Sequence, residues 1–387
     1  MSYLCEKAKM NPFPIAKYKS PLYFCDREEE TSKILSALEA DRSITLYSIR
    51  RLGKTGLIKH VFNQLAKKDI ITSYVDILDT SSESEFINNL ISQTIESIQE
   101  DDDNLIKKTL KAFGQFKPKL TVDPNTGATS IQLDINSAEE VDLSLKTLFS
   151  LIKKRKKQTI IAIDEFQQIE KYQNNRIAAT IRKYLTSVKN LNFIFSGSQQ
   201  NLLLNMFTSP KAALFQSTQL MPIAKIERAT YNSFIKHHFS QGLKKISKEH
   251  IDHILDWTCT HTFYTQFYSN RLYDRVKKQV KEGDLKTIEN EILKEHEVVY
   301  YNYKNILSPN QWKLLEAIAQ EGSVIEITSS KFIQKYKLGA HGTVRKSAQY
   351  LIDKELLYTT IDDATEKPRL HIYDPFLLRW IQSKSRG

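Results

Sequence analysis

The chain has 387 residues, 41% of them hydrophobic, with 56 Lys/Arg against 45 Asp/Glu, so its formal net charge is +11. That length predicts two or three domains with an ample core, and the basic excess points towards a polyanionic partner without locating the contact. The sequence has no run of about 18 apolar residues and no apolar segment after its first lysines, and its three cysteines, Cys5, Cys25 and Cys259, are scattered. These features exclude a transmembrane helix, a secretory signal and a disulfide or zinc framework, and lead to the expectation of a cytoplasmic protein with no membrane partner.

Residues 1–9 read as an extension or tail, and residues 28–38 as a first helix. A β-branched run, Ser43-Ile44-Thr45-Leu46-Tyr47, then leads into Ser48-Ile49-Arg50-Arg51-Leu52-Gly53-Lys54-Thr55-Gly56, and a helical pattern (Leu57, Ile58, Val61, Phe62, Leu65) leads out. Strand, loop and helix in this order make a P-loop, with serine at the first glycine position. Backbone N–H groups from Ser48 to Gly56 are expected to face nucleotide phosphates at the helix N-terminus. Lys54 is expected to reach the β- and γ-phosphates and the Thr55 hydroxyl to ligate Mg²⁺.

A second strand is expected over residues 70–77, then a helix opening near Ser82, Ser84 and Glu85. The acidic run 100–103 reads as a solvated helix end. Residues 118–134 interrupt the α/β alternation, and the turn sequence Pro124-Asn125-Thr126-Gly127 between two β-rich stretches predicts a hairpin insertion, most simply a surface decoration. Lys153-Lys154-Arg155-Lys156-Lys157 closes the next helix. Cations there complement the helix dipole, and a nucleic-acid patch is the alternative.

Residues 159–169 form an apolar strand whose tip carries Asp164 and Glu165. Adjacent carboxylates at the end of a buried strand are poorly explained by packing; they are the pair that would hold Mg²⁺ (Asp164) and orient the attacking water (Glu165). A third strand, residues 191–195, ends in Ser196-Gly197-Ser198, which suits a polar sensor of the terminal phosphate, with Ser198 ahead of Ser196. Alternating strands and helices predict an αβα sandwich on a parallel sheet, with the nucleotide at the strand C-termini.

From about Met221 to Ile306 helical periodicity dominates, predicting a helical lid. Arg271 and Arg275 are either phosphate sensors or exposed helix charges, and His250 and His253 lack an evident third ligand for a metal. Residues 307–382 have the order of a winged helix-turn-helix: helices over 311–319, 331–336 and 343–354, wing strands over 356–361 and 369–373, and an apolar anchor at 374–380. The third helix is expected to expose Arg345, Lys346 and Gln349 to duplex DNA. From Leu307 onward 12 Lys/Arg stand against 9 Asp/Glu, too mild a balance to require DNA, so a protein partner stays open.

These motifs resemble those of a prokaryotic AAA+ ATPase of the archaeal-type family, in the STAND-like branch related to origin-recognition ATPases. The resemblance rests on Asn11-Pro12-Phe13, Phe24-Cys25-Asp26-Arg27-Glu28, the Arg50-Arg51 P-loop, Ile163-Asp164-Glu165-Phe166-Gln167, Phe195-Ser196-Gly197-Ser198 and the lid signature His261-Thr262-Phe263-Tyr264-Thr265-Gln266. It covers nearly the whole chain and implies ATP and Mg as ligands, with Asp26 and Arg27 near the adenine and Tyr264 near the nucleotide. Glycines and a proline common in the lid turn of relatives are replaced here by Cys259, Thr260 and Thr262. An arginine that relatives often place near the end of residues 208–217 is missing between Lys211 and Gln219, which weakens a trans-acting finger in a homo-oligomer.

The domains expected are an ATPase domain over residues 1–225, a lid over 226–306 and a winged helix over 307–387. Two functions follow: a slow Mg-dependent ATPase serving as a nucleotide-controlled switch, or a DNA-binding regulator with a weak or structural nucleotide site. A small-molecule P-loop kinase fits less well.

Overall fold

A computed structural model describes residues 11–99, 111–122, 129–135, 137–172, 176–362 and 364–384. The expectations for residues 1–9 and for the acidic run 100–103 lie outside them. The chain divides into two compact units, one made of residues 17–224 and the other of residues 11–16 with the chain from 225 onward.

In the first unit, β1 (Ile44–Tyr47), β2 (Ile70–Asp76), β5 (Gln158–Asp164), β6 (Leu191–Gly197) and β7 (Gln219–Pro222) form a five-stranded sheet in the order β2-β5-β6-β1-β7. Every pairing is parallel. Each strand must therefore return through a crossover, and the helices lie on both faces. On one face α1 (Glu28–Glu39) and α2 (Lys54–Leu65) bury Ile34, Leu57 and Val61 with Ile44, Leu46, Ile160 and Ala162. On the other, α3 (Glu83–Gln99), α4 (Ala138–Arg155), α5 (Ile177–Ser187) and α6 (Gln200–Thr208) cover Ile161, Ile163, Phe193 and Phe195. Alternate residues of β5 thus serve opposite cores, which is why its sequence reads as one continuous apolar run. At the edge, β2 buries one face only.

Residues 119–122 (β3) and 129–132 (β4) form the expected antiparallel hairpin, while its turn, 123–128, lies outside the described residues. It is more than surface decoration. Ile131 and Leu133 are buried in the core, and their N–H groups donate to Ser92 Oγ (3.1 Å) and Asn88 Oδ1 (2.7 Å) of α3.

In the second unit four helices, α7 (Arg228–Gln241), α8 (Lys248–Trp257), α9 (Thr262–Arg275) and α10 (Glu282–Ile306), precede a winged helix. The latter comprises α11 (Pro309–Glu321), β8 (Ser323–Val324), α12 (Ser330–Tyr336), α13 (His341–Asp353), β9 (Leu357–Ile361), β10 (Pro368–Ile372) and the anchor α14 (Pro375–Lys384). Strand β8, too short to show a period, completes a β8-β10-β9 sheet. The anchor buries Phe376, Leu377, Trp380 and Ile381, and its Arg379 donates to the carbonyls of Trp257 (3.0 Å) and Asp256, closing the C-terminus of α8. The last carbonyls and the negative dipole end of the helix favour a guanidinium there.

The opening Asn11-Pro12-Phe13 belongs to this helical unit and not to the sheet domain expected over residues 1–225. Phe13 is fully buried among Phe234, His238, Phe239 and Tyr273, while Asn11 donates to Asn270 O and Asn270 returns a bond to Phe13 O, both at 2.8 Å. Burying an aromatic ring of this size is worth about 2–3 kcal/mol, enough to decide where a short segment docks.

Candidate nucleotide site

The sheet register brings the tips of β1, β5 and β6 together. Because β6 lies between the other two, with Tyr47 opposite Gly197 and Ile163 opposite Phe195, the P-loop after β1 and the acidic pair after β5 converge on Ser196-Gly197-Ser198.

Gly53 supports the loop with a φ of +98° as the N-cap of α2, a conformation open to glycine, and Arg51 also has positive φ (+62°). Ser48 does not stand among the positive-φ residues, so serine is accommodated at the first glycine position without backbone strain. Its hydroxyl donates to Ile49 O (2.8 Å) and accepts from Lys54 Nζ (3.1 Å), and Lys54 also reaches Ser48 O (3.3 Å) and Ile49 O (3.4 Å). Ile49 and Leu52 are buried beneath the loop, whereas Arg50 and Arg51 are exposed. Gly56 lies under Phe24, whose ring would be 3.4 Å from an added Cβ. Burial pushes the Lys54 ammonium below its ordinary pKa, opposed by the charges of Asp164 and Glu165 and reinforced by Arg50. An arriving polyanion relieves that penalty.

Asp164 is 4% exposed and has four donors. Oδ2 accepts from Thr55 Oγ1 (2.6 Å) and Tyr74 OH (2.7 Å), and Oδ1 from Ser196 Oγ (2.5 Å) and the Glu165 N–H (3.1 Å). Burial, followed by the Asp164 charge, raises the Tyr74 phenol pKa, keeping it protonated as a donor. Glu165, half-buried, has φ +56°, a conformation costing about 1–3 kcal/mol and kept where surrounding bonds over-determine it. Those bonds run to its Oε2 from Gln167 Nε2 (2.6 Å), Ser198 Oγ (2.8 Å) and Ser198 N–H (3.2 Å). Arg50 Nε donates to the same Ser198 Oγ at 3.2 Å.

The two serines that the sequence left in competition therefore do different work: Ser196 holds Asp164 and Ser198 holds Glu165. The arrangement offers a basic loop for an anion, a hydroxyl–carboxylate pair of hard oxygen donors 2.6 Å apart, and a second carboxylate fixed beside them. Thr55 and Asp164 suit a small divalent cation that takes its remaining ligands from phosphate and water, as Mg²⁺ does. Tyr74 and Gln167 were missed by sequence reasoning. Tyr74 lies on the edge strand and carries no motif, whereas Gln167, two residues after Glu165, stands within a family motif that gives it no role of its own.

A model of the family described as an ATPase domain predominantly from Archaea matches residues 24–261, and one for a probable winged helix domain matches residues 298–383. The chain belongs to that archaeal-type ATPase family. An uncharacterised ATP-binding protein of Methanocaldococcus jannaschii is 30% identical to this chain over 160 residues, 38% of this chain and 43% of the relative, so the chain spans less than half of that curated relative. Among solved structures, the Walker-type ATPase of Pyrococcus abyssi has a TM-score of 0.64 at 18% identity, covering 96% of this chain and 99% of its own. The Aeropyrum pernix ORC2 protein, solved with ADPNP and ADP, has a TM-score of 0.56 at 14% identity, covering 97% and 98%. Both share the fold.

The other candidate residues fall into four settings. Asp26 is exposed with φ +58°, but Arg27 is 4% exposed and its guanidinium donates to Glu30 Oε1 (2.6 Å), Leu52 O (3.2 Å) and Ala224 O (2.7 Å), tying the P-loop to the segment after β7. Tyr264 belongs to the helical unit, 3% exposed, with Phe376 edge-on at 4.7 Å. Close by in sequence, Cys259 and Thr260 both have φ of +52°, the left-handed conformation that glycine adopts most readily. Arg271 and Arg275 pair with Glu295 (2.8 Å) and Glu291 (3.2 Å), and His253 with Glu289 (2.5 Å). On α13, Arg345, Lys346 and Gln349 are exposed, with Gln349 donating to Asp353 (2.8 Å). Among the described residues no helix is long and apolar enough to cross a membrane.

Proposed function

We propose that this protein binds ATP with Mg²⁺ and hydrolyses it slowly, using the nucleotide state as a switch coupled to a winged helix that engages duplex DNA. The observation that carries the reading is the separation of labour at the strand tips: Asp164 held by Thr55, Tyr74 and Ser196, and Glu165 held by Ser198 and Gln167. Thr55 and Asp164 would hold the metal, which when bound supplies charge neutralisation on phosphate oxygens. The α2 N-terminus and Lys54 bind the phosphates. Glu165, kept in one orientation by three hydrogen bonds, accepts a hydrogen bond from a water and draws off its proton as that water attacks.

The Arg27 clamp supports the switch. It joins the carbonyl of Leu52 in the P-loop to that of Ala224, the last residue of the sheet unit, so a change in the loop acts on the chain where it leaves for the helical unit. Exposure of Arg345, Lys346 and Gln349 on one helix supports DNA as the partner, and DNA-stimulated turnover should then weaken as salt rises.

The test is phosphate release by the full chain with Mg²⁺. Glu165→Gln keeps an acceptor oxygen but loses the charge, and is expected to reduce turnover about 100-fold or more while leaving ATP affinity within a few-fold. Wild-type turnover in Glu165→Gln would refute the assignment.

A further inference from the structure

The sheet unit has no arginine between Lys211 and Gln219. The loop there has instead drawn in a guanidinium from α5: Arg182 NH1 donates to Ala213 O (2.9 Å) and Phe215 O (2.8 Å). At the nucleotide site, by contrast, a guanidinium is already present. Arg50 extends from the P-loop to the tip of β6, where its Nε donates to Ser198 Oγ at 3.2 Å. That same oxygen donates to Glu165 at 2.8 Å. Arg50 is exposed while Ser198 is 6% exposed, so the guanidinium lies on the open side of the site.

We propose that Arg50 is the site's own arginine finger, a catalytic residue that binds the γ-phosphate in cis, with Ser198 setting its position relative to Glu165. This rests on the ATPase reading above and goes beyond it by assigning the source of the charge and the specificity for a triphosphate. Geometry gives the reason. A residue bonded to the serine that holds the water-orienting carboxylate sits on the γ side of the loop, away from the body of the nucleotide that α2 and Lys54 embrace.

In the reaction the water oxygen forms a bond to the γ-phosphorus, the bond from that phosphorus to the β–γ bridging oxygen breaks, ADP leaves with the electron pair, and the water proton passes to Glu165 and then to solvent. Negative charge spreads over the γ-oxygens as this occurs. A guanidinium presents its donors in a planar fork that matches two of those oxygens, which an ammonium cannot do. Because the finger is carried by the same chain, turnover per molecule is expected not to depend on protein concentration.

The experiment is a pair of calorimetric titrations, Mg-ATP and Mg-ADP, into the full-length wild type, Arg50→Ala, Arg50→Lys and Lys54→Ala, with turnover measured on the same preparations over a 100-fold range of protein concentration. Arg50→Ala is expected to bind ADP within about twofold of wild type, to lose at least tenfold of its preference for ATP over ADP, and to lose about 100-fold or more in kcat, with Arg50→Lys between. An ATP preference and kcat unchanged in Arg50→Ala, or a wild type with no preference for ATP over ADP, overturns the finger while leaving the nucleotide site intact. Turnover per molecule that rises with protein concentration overturns the cis assignment. ATP binding unaffected by Lys54→Ala, or absent from wild type, removes the site and the finger together. Thermal melts identify any variant that fails to fold, and Arg50→Gln then replaces Arg50→Ala.

Discussion

Gly197→Ala is a one-carbon change with a calculable consequence. A Cβ at this position would stand 2.0 Å from Gln167 Oε1, 3.1 Å from Gln167 Cδ and 3.3 Å from Leu203 Cδ2. Gln167 is 3% exposed and Leu203 fully buried, so the amide has little room to retreat except by leaving Glu165, to which it donates at 2.6 Å. Overpacking a filled core costs about 1–3 kcal/mol. Losing a hydrogen bond to a charged group adds about 1.5–3 kcal/mol. The combined loss is therefore about 2.5–6 kcal/mol, read as a fall in the urea midpoint, with turnover reduced about tenfold or more because Glu165 loses one of its restraints. Gln167→Ala should open the space that the added methyl group needs, so the double variant should be more stable than Gly197→Ala alone. Unchanged stability and turnover in Gly197→Ala, or effects of the two substitutions that simply add, would refute the reasoning.

Two further outcomes follow from groups outside the carboxylate pair. Arg27→Ala leaves Glu30 and the carbonyls of Leu52 and Ala224 without their common donor, so stability is expected to fall by about 3–5 kcal/mol and ATP binding to weaken with it; tight ATP binding at unchanged stability would show that the clamp is idle. Burial, Lys225 and Arg369 hold the His371 imidazole down at about 4. The unfolded chain takes a proton near pH 6.5 that the fold refuses, so the stabilisation is complete above that pH and is lost as pH falls towards 4. With a discount for partial exposure the loss is about 1–2 kcal/mol, and melts of His371→Gln should show a flatter pH dependence than wild type across that interval.

Much of the site was legible because its parts are adjacent in sequence. The P-loop is a continuous string with its own strand and helix, and Asp164-Glu165 ends an apolar run that only a central parallel strand explains. The winged helix announced itself through caps such as Ser308 and Ser329, whose hydroxyls accept from Gln311 N and Phe332 N. What could not be read depends on register and on long-range closure. Ser196 and Ser198 differ only in which strand-tip carboxylate they meet, Asp164 or Glu165, and that is settled by β5 and β6 pairing. Arg27 closes on Ala224, 197 residues away, and reads as a binding residue until its acceptors are known. Phe13 carries no signal that its ring is needed by α7. Tyr74 sits on an edge strand where an aromatic is ordinary, and its role follows from the Asp76–Asp164 pairing of β2 with β5.

The central claim is that Lys54 and its loop hold the phosphates of ATP. Calorimetric titration of Mg-ATP into wild type and Lys54→Ala tests it most directly. Saturable binding to wild type, weakened about 100-fold or more in a Lys54→Ala protein that melts as a folded chain, is the result expected; equal affinity in the two proteins would contradict it.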